Sequence, residues 1–247
     1  MSTVVKKDKL KQAIDYIKCN ETTVDSTYRQ QYHIMPKIGW MNDPNGFSYY
    51  KEEYHLFYQY HPYSSSWGPM HWAHVKSKDL INWEELDIAI APDEEYDMSG
   101  CFSGSAIEKN GKLYLMYTGH KDIGSPNEIR QVQCMAVSED GIRFEKYENN
   151  PVIGTEYLPK EAKVQDFRDP KIYIKNNKYY SVVGSRNIDG SGQILLYSSK
   201  DLEKWDYEGN ILQSNNEFGK MWECPDLFEL EDKDILIMSP QFLDPRG

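Results

Sequence analysis

The sequence predicts an all-β fold in which four-stranded blades repeat around an axis, a β-propeller. Three observations predict it. From Tyr32 onward, short runs rich in Tyr, Phe, Leu, Ile and Val alternate with polar turns. A segment ending in an aromatic anchor then occurs three times: Ser77-Lys78-Asp79-Leu80-Ile81-Asn82-Trp83, Ser138-Glu139-Asp140-Gly141-Ile142-Arg143-Phe144 and Ser199-Lys200-Asp201-Leu202-Glu203-Lys204-Trp205. Its Asp residues are 61 positions apart both times. A fixed period of that length in a strand-rich chain fits one blade per period. Finally, polar motifs recur at nearly one phase of that period: Asn42-Asp43-Pro44-Asn45-Gly46, Phe102-Ser103-Gly104-Ser105, Phe167-Arg168-Asp169-Pro170 and Glu223-Cys224-Pro225-Asp226. The steps from Asp43 to Ser103, Asp169 and Glu223 are 60, 66 and 54 residues.

The elements follow in order. Leu10, Ile14 and Ile17 stand at helical spacing among Lys, Gln and Asp, which predicts one short N-terminal helix within residues 6–30, ending near Cys19-Asn20-Glu21-Thr22. Residues 1–31 are read as a helical arm that packs on or covers the remainder, 32–247. In the run 40–46, Pro44 fixes its own φ and restricts Asp43, and Asn45-Gly46 accepts positive φ. The expectation is a stiff corner carrying Asp43 just before a strand over 47–50. Further strands are expected over 54–58, 112–117, 178–183 and 234–238. Each follows a polar hairpin, at 51–53, 109–111, 175–177 and 231–233.

Composition narrows the function. The 247 residues carry a net charge of −11, which argues against nucleic-acid binding, where affinity comes from neutralising phosphates. Nineteen Tyr and six Trp suit strands and also the stacking faces of sugar sites. Cys19, Cys101, Cys134 and Cys224 form no CxxC pair, so no zinc site is expected. His71 and His74 are three apart and would face opposite sides of a strand; no EF-hand calcium loop is present. No metal or cofactor is expected. No apolar signal segment or membrane-length run appears, so the expectation is a cytoplasmic chain with reduced thiols. Asn20-Glu21-Thr22 fits a glycosylation sequon and is read as chance in that setting.

In a propeller, equivalent positions on the innermost strands converge on the axial channel. Asp43, Asp169 and Glu223 are therefore expected in one pocket. Converging carboxylates, many aromatic rings and no metal cluster suit glycoside hydrolysis, in which one carboxylate acts as nucleophile or base and one carboxyl as acid. Asp43, on the stiff corner, suits the nucleophile. Glu223, beside Trp222 and Cys224, is expected in an apolar setting that favours its protonated form. Asp169, beside Arg168, is expected to pair with it, stay ionised and hold substrate hydroxyls.

Together, the run 40–46 and the motifs 102–105, 167–170 and 223–225 resemble the signature motifs of glycoside hydrolase family thirty-two, from His33 to Gln241. That family contains invertases, fructanases and sucrose-6-phosphate hydrolases. The resemblance implies a five-bladed β-propeller, cleavage of β-fructofuranosides and retention of configuration. It implies Asp43 as nucleophile, Asp169 as transition-state stabiliser and Glu223 as acid/base. Asn42, Gln59, Trp67, Phe102, Ser103 and Arg168 match sugar-contacting positions. The stretches 70–72, 91–93 and Gly119-His120 most resemble the bacterial sucrose-6-phosphate hydrolases, which makes sucrose 6-phosphate or sucrose the expected partner. Family members continue into a fifth blade and a C-terminal β-sandwich. A period near 61 would place a fifth motif beyond residue 280, so residues 32–247 are expected to form an incomplete propeller truncated within its fourth blade, with impaired activity. Alternative readings are a fructan hydrolase or fructosyltransferase, a non-catalytic carbohydrate-binding propeller, and an inverting arabinan-type propeller.

Overall fold

Each aromatic–aliphatic run becomes the second strand of an antiparallel sheet in the computed structural model, which describes residues 8–244. The first blade is β1 (Trp40–Tyr50), β2 (Glu53–His61), β3 (His71–Ser77) and β4 (Glu84–Glu85). The second is β5 (Gly100–Lys109), β6 (Lys112–Lys121), β7 (Arg130–Ser138) and β8 (Glu145–Lys146). The third is β9 (Ala162–Lys175), β10 (Lys178–Asn187), β11 (Gly192–Ser199) and β12 (Trp205–Gln213). A two-stranded sheet follows, β13 (Met221–Leu230) with β14 (Lys233–Gln241). Strands pair in sequence order within every sheet, the meander expected of propeller blades.

The four hairpins that open the blades share one backbone geometry. Both central residues have positive φ: Lys51 and Glu52, Asn110 and Gly111, Asn176 and Asn177, Glu231 and Asp232. These are the angles of the turn that matches strand twist in two-residue hairpins. The 61-residue repeat lies in the loop from third to fourth strand. There Asp79, Asp140 and Asp201 each accept backbone N–H bonds from the two and three residues that follow. Leu80, Gly141 and Leu202, one residue after each Asp, are all left-handed. The repeat is thus a conformational unit as well as a sequence one.

Blades pack face to face through apolar clusters. Phe57 and Trp72 of the first meet Leu113, Leu115 and Tyr117 of the second. Met116 and Met135 of the second meet Phe167, Val183 and Tyr197 of the third. Val182 and Ile194 of the third meet Trp222. His71 and His74 face opposite sides of β3: His74 stacks on Phe57 at 4.1 Å, whereas His71 meets Tyr63 edge-on.

One expectation is met and another corrected. The helix α1 runs Lys9–Asn20, followed by a 3-10 turn Glu21–Thr23, within residues 6–30 and ending at the expected stop; residues 1–7 of the arm lie outside the described residues. Its Ala13, Leu10, Ile14 and Ile17 pack on Tyr58, Tyr60, Ala73 and Val75, so it buttresses the first blade. The correction concerns the run 40–46. It is not a corner before a strand but the interior of β1, with register shifts between Met41 and Pro44 and between Asn45 and Ser48. Only Gly46 of Asn45-Gly46 has positive φ. A bulge absorbs the proline without breaking the strand.

Candidate active site

The same device recurs in every inner strand. β5 is out of register between Phe102 and Gly104, β9 between Arg168 and Lys171, and β13 between Glu223 and Asp226. The residues inside the bulges are Asn42-Asp43, Ser103, Asp169-Pro170 and Cys224-Pro225. Pro170 and Pro225 sit where no ladder N–H is required. Asp169 and Cys224 have φ of 63° and 47°, the left-handed region, which side-chain-bearing residues occupy at a cost. Two glycines allow close approach between strands. A Cβ on Gly104 would meet the Met116 carbonyl oxygen at 2.0 Å, and one on Gly184 would meet that of Trp222 at 2.2 Å.

The bulges join two hydrogen-bonded groups. In the first, Asn42 Nδ2 donates to Gln59 Oε1 (2.8 Å), Gln59 Nε2 donates to Ser103 Oγ (2.9 Å), and Ser103 Oγ donates to Asp43 Oδ2 (2.9 Å). Asn45 accepts from the Gly104 N–H and donates to the Asp43 carbonyl, tying β1 to β5. In the second, Arg168 donates from Nε and Nη2 to Glu223 Oε1 at 3.1 and 2.8 Å. Its Nη1 reaches Asp166 and Gln131. Asp169 Oδ2 accepts the Cys224 N–H at 3.0 Å.

Burial is the main force on Asp169. It raises the carboxyl to about 6, opposed by Arg168 and by the Cys224 N–H, with the charges of Glu223 and Asp43 adding to the rise. Arg168 pairs with Asp169 at 3.9 Å, as expected, but lies closer to Glu223, at 2.8 Å, which corrects the expected setting of Glu223. Glu223 therefore sits against a cation and not in an apolar setting. Trp222 points to the opposite face, buried against Val182 and Ile194.

Phe102 stacks on His120 with ring centroids 4.1 Å apart, and burial lowers the imidazole to about 4. Trp67, 56% exposed, meets Phe102 edge-on at the rim. A cavity of about 300 Å³ is lined from all four inner strands, by Asn45, Ser103, Asp169 and Cys224 among others. Of the sequence-predicted site residues, Ser103 and Asp169 line this cavity. Asn42, Asp43 and Gln59 are bonded to Ser103 or to one another, Arg168 and Glu223 pair on the neighbouring strands, and Trp67 meets Phe102, but none of these seven is part of its lining. Among the described residues, no group of three or more His, Cys, Asp or Glu is placed to hold a metal ion.

Sequence reasoning missed the supporting residues. Thr118, Gln131 and Gln133 are buried in the second blade and bond to the backbone of residues 167–169. Two glutamines alternating inside the apolar strand Gln131-Val132-Gln133-Cys134-Met135 were the available signal.

Comparison with known proteins decides the family. Residues 33–246 match the family described as "Glycosyl hydrolases family 32 N-terminal domain". The chain belongs to glycosyl hydrolases family 32. A sucrose-6-phosphate hydrolase of Zymomonas mobilis is 44% identical over 241 residues, covering 93% of this chain and 46% of that protein. A levanase of Bacillus subtilis is 45% identical over 214 residues, covering 83% of this chain and 30% of that protein. A solved family 32 β-fructofuranosidase of Bombyx mori, in complex with sucrose, superposes with a TM-score of 0.89 at 45% identity, covering 98% of this chain and 50% of that one. The chain therefore spans about half the length, or less, of these family 32 relatives. No helix among its described residues is long and apolar enough to cross a membrane.

Proposed function

We propose that this chain carries the catalytic carboxylates of a retaining β-fructofuranosidase acting on sucrose 6-phosphate or sucrose. The observation that supports it best is the arrangement of the three carboxylates on successive inner strands: Ser103 of β5 holds Asp43 of β1, while Arg168 and the Cys224 amide tie Asp169 of β9 and Glu223 of β13 together. Ser103 holds Asp43 Oδ2, leaving Oδ1 to attack the anomeric carbon of the fructosyl unit. Arg168 holds Glu223 Oε1, leaving Oε2 to protonate the departing glycosidic oxygen. The fructosyl–Asp43 ester is then hydrolysed by a water that Glu223 deprotonates, so two inversions give net retention. Asp169 binds fructose hydroxyls, with Asn42, Gln59, Ser103 and Arg168 as polar contacts and Trp67 and Phe102 as the apolar wall. The likeness to sucrose-6-phosphate hydrolases supports a phosphorylated substrate, which is met inside cells, so the proposal includes a cytoplasmic location.

A second reading, hydrolysis of fructans, is favoured by the comparable likeness to a levanase. Hydrolysis of sucrose 6-phosphate, sucrose and levan, run side by side, separates the two. Asp43→Asn and Glu223→Gln are each expected to lower turnover by roughly a thousandfold or more. With methanol as acceptor, the product should be the methyl β-fructofuranoside. Full turnover by Asp43→Asn, or an α-configured product, would sink the proposal.

A further inference from the structure

The bulge in β9 creates a problem of hydrogen bonding. At φ 63° the Asp169 N–H leaves the ladder to β10, deep inside the protein. Its partner comes from another blade: Thr118 Oγ1 accepts it at 2.9 Å. The same hydroxyl lies 3.2 Å from the Ser103 carbonyl oxygen and 3.0 Å from Gln133 Oε1, so its single proton has two acceptors. Gln133 Nε2 in turn donates to the Phe167 carbonyl at 2.9 Å. Thr118 and Gln133 are both fully buried.

Ser103 is the residue whose hydroxyl holds Asp43. One side chain therefore touches the backbone of two bulges, that of β5 at Ser103, whose hydroxyl holds Asp43, and that of β9 at Asp169. Buried, satisfied hydrogen bonds of this kind fix position more tightly than apolar packing, because any displacement leaves a polar group unpaired.

We propose that Thr118 is a positioning residue that sets the separation of Asp43 and Asp169. It touches no substrate. It acts by holding two backbones in register across a blade boundary, where an error of about 1 Å can cost roughly a hundredfold in rate. As a statement about catalysis, this rests on the fructofuranosidase reading above.

The test compares Thr118→Val, which keeps the shape and removes the hydroxyl, with Thr118→Ser, which keeps the hydroxyl. Thr118→Ala replaces the valine variant should that one not fold. On sucrose, kcat is expected to fall about ten- to a hundredfold in Thr118→Val, with KM within about threefold of wild type. Thr118→Ser should retain wild-type kcat within about threefold. A purely structural role predicts loss of melting temperature without this split or rescue. Wild-type kcat in Thr118→Val, or an equal fall in Thr118→Ser, overturns the proposal. Should the wild-type chain turn over no fructoside, the fructofuranosidase reading is what has failed. The placement of Asp169 is then read directly by amide hydrogen exchange. Protection of the Asp169 N–H at least tenfold lower in Thr118→Val, and retained in Thr118→Ser, supports the role of Thr118. Unchanged protection in Thr118→Val overturns it.

Discussion

Arg168 reaches across a blade boundary to Glu223, 2.8 Å away, and lies closer to it than to Asp169, its neighbour in the chain, at 3.9 Å. Two of its nitrogens share Glu223 Oε1, at 2.8 and 3.1 Å, while a third is held by Asp166 and Gln131. A planar fork with three occupied donors cannot be copied by an ammonium group. Arg168→Lys is accordingly expected to lower kcat/KM by roughly a hundredfold while moving the melting temperature by only a few degrees. Steady-state kinetics and thermal melts check it, and near-wild-type kcat/KM in the lysine variant would contradict it.

Asp169 should make stability depend on pH in the sense opposite to a surface carboxylate. Its carboxyl stands near 6 in the folded chain, against an ordinary 3.8. Between those values the folded state holds more protons than the unfolded one, so stability falls as pH rises from about 4 to about 6 and then levels. Asp169→Asn escapes that loss. Its advantage over wild type should be near zero at pH 4 and reach a plateau above pH 6, with an upper limit on the order of 3 kcal/mol. Urea unfolding of both chains at pH 4, 5, 6 and 7 gives the comparison.

His55 and His74 predict the reverse trend on the acid side. Their rings meet at 2.9 Å in the core of the first blade, with Tyr50, Phe57 and Phe144 packed around them and Glu53 and Lys76 as the nearest charges. Burial lowers both imidazoles below the ordinary 6.5. The unfolded chain therefore takes up protons first, and stability is lost as pH falls through 6.5. The melting temperature should drop between pH 7 and pH 5, and it should drop less steeply in a His55→Gln/His74→Leu variant. Equal slopes would remove the histidines as the cause.

Lys146 neutralises a carboxylate that has no access to water. Its Nζ meets Asp97 at 2.5 Å and Asp93 at 2.6 Å, and Asp97 is fully buried. Lys146→Met leaves Asp97 uncompensated, at an expected cost of about 3–5 kcal/mol. Adding Asp97→Asn should recover a substantial part of it, because the neutral amide is cheaper to bury than an unpaired charge. Failure of the second substitution to help would show that the cost lies in lost packing on Tyr96 and Tyr117.

The blades were legible because their period is written in local chemistry. Asp79, Asp140 and Asp201 organise the same loop each time, and a hairpin needs only its own few residues. The placing of the three carboxylates on inner strands was legible for the same reason: Asp43, Asp169 and Glu223 fall at nearly one phase of that period. The bulges were not, since a two-residue slip leaves spacing almost unchanged. Spacing treated Glu223 as the counterpart of Asp169, whereas the strand register gives that place to Cys224, 55 residues after Asp169. Arg168 does pair with Asp169, but its closer partner, Glu223, was not legible because adjacency in sequence says little about distances across a bulge. Thr118, Gln131 and Gln133 stayed hidden because their partners lie 34 to 51 residues away, on a different blade.

The contacts that secure the inner strands also run in one direction along the chain. β5 is received by Asn45, Met70 and Trp72, all upstream of it. β9 is received by Ser105, Thr118, Gln131 and Gln133, again upstream. β13 is received by Arg168, Asp169 and Lys171. During synthesis from the N-terminus, each inner strand emerges to find its docking partners already made. Assembly can thus proceed vectorially, each sheet templating the next, and the order of translation matches the order in which the carboxylates acquire their settings.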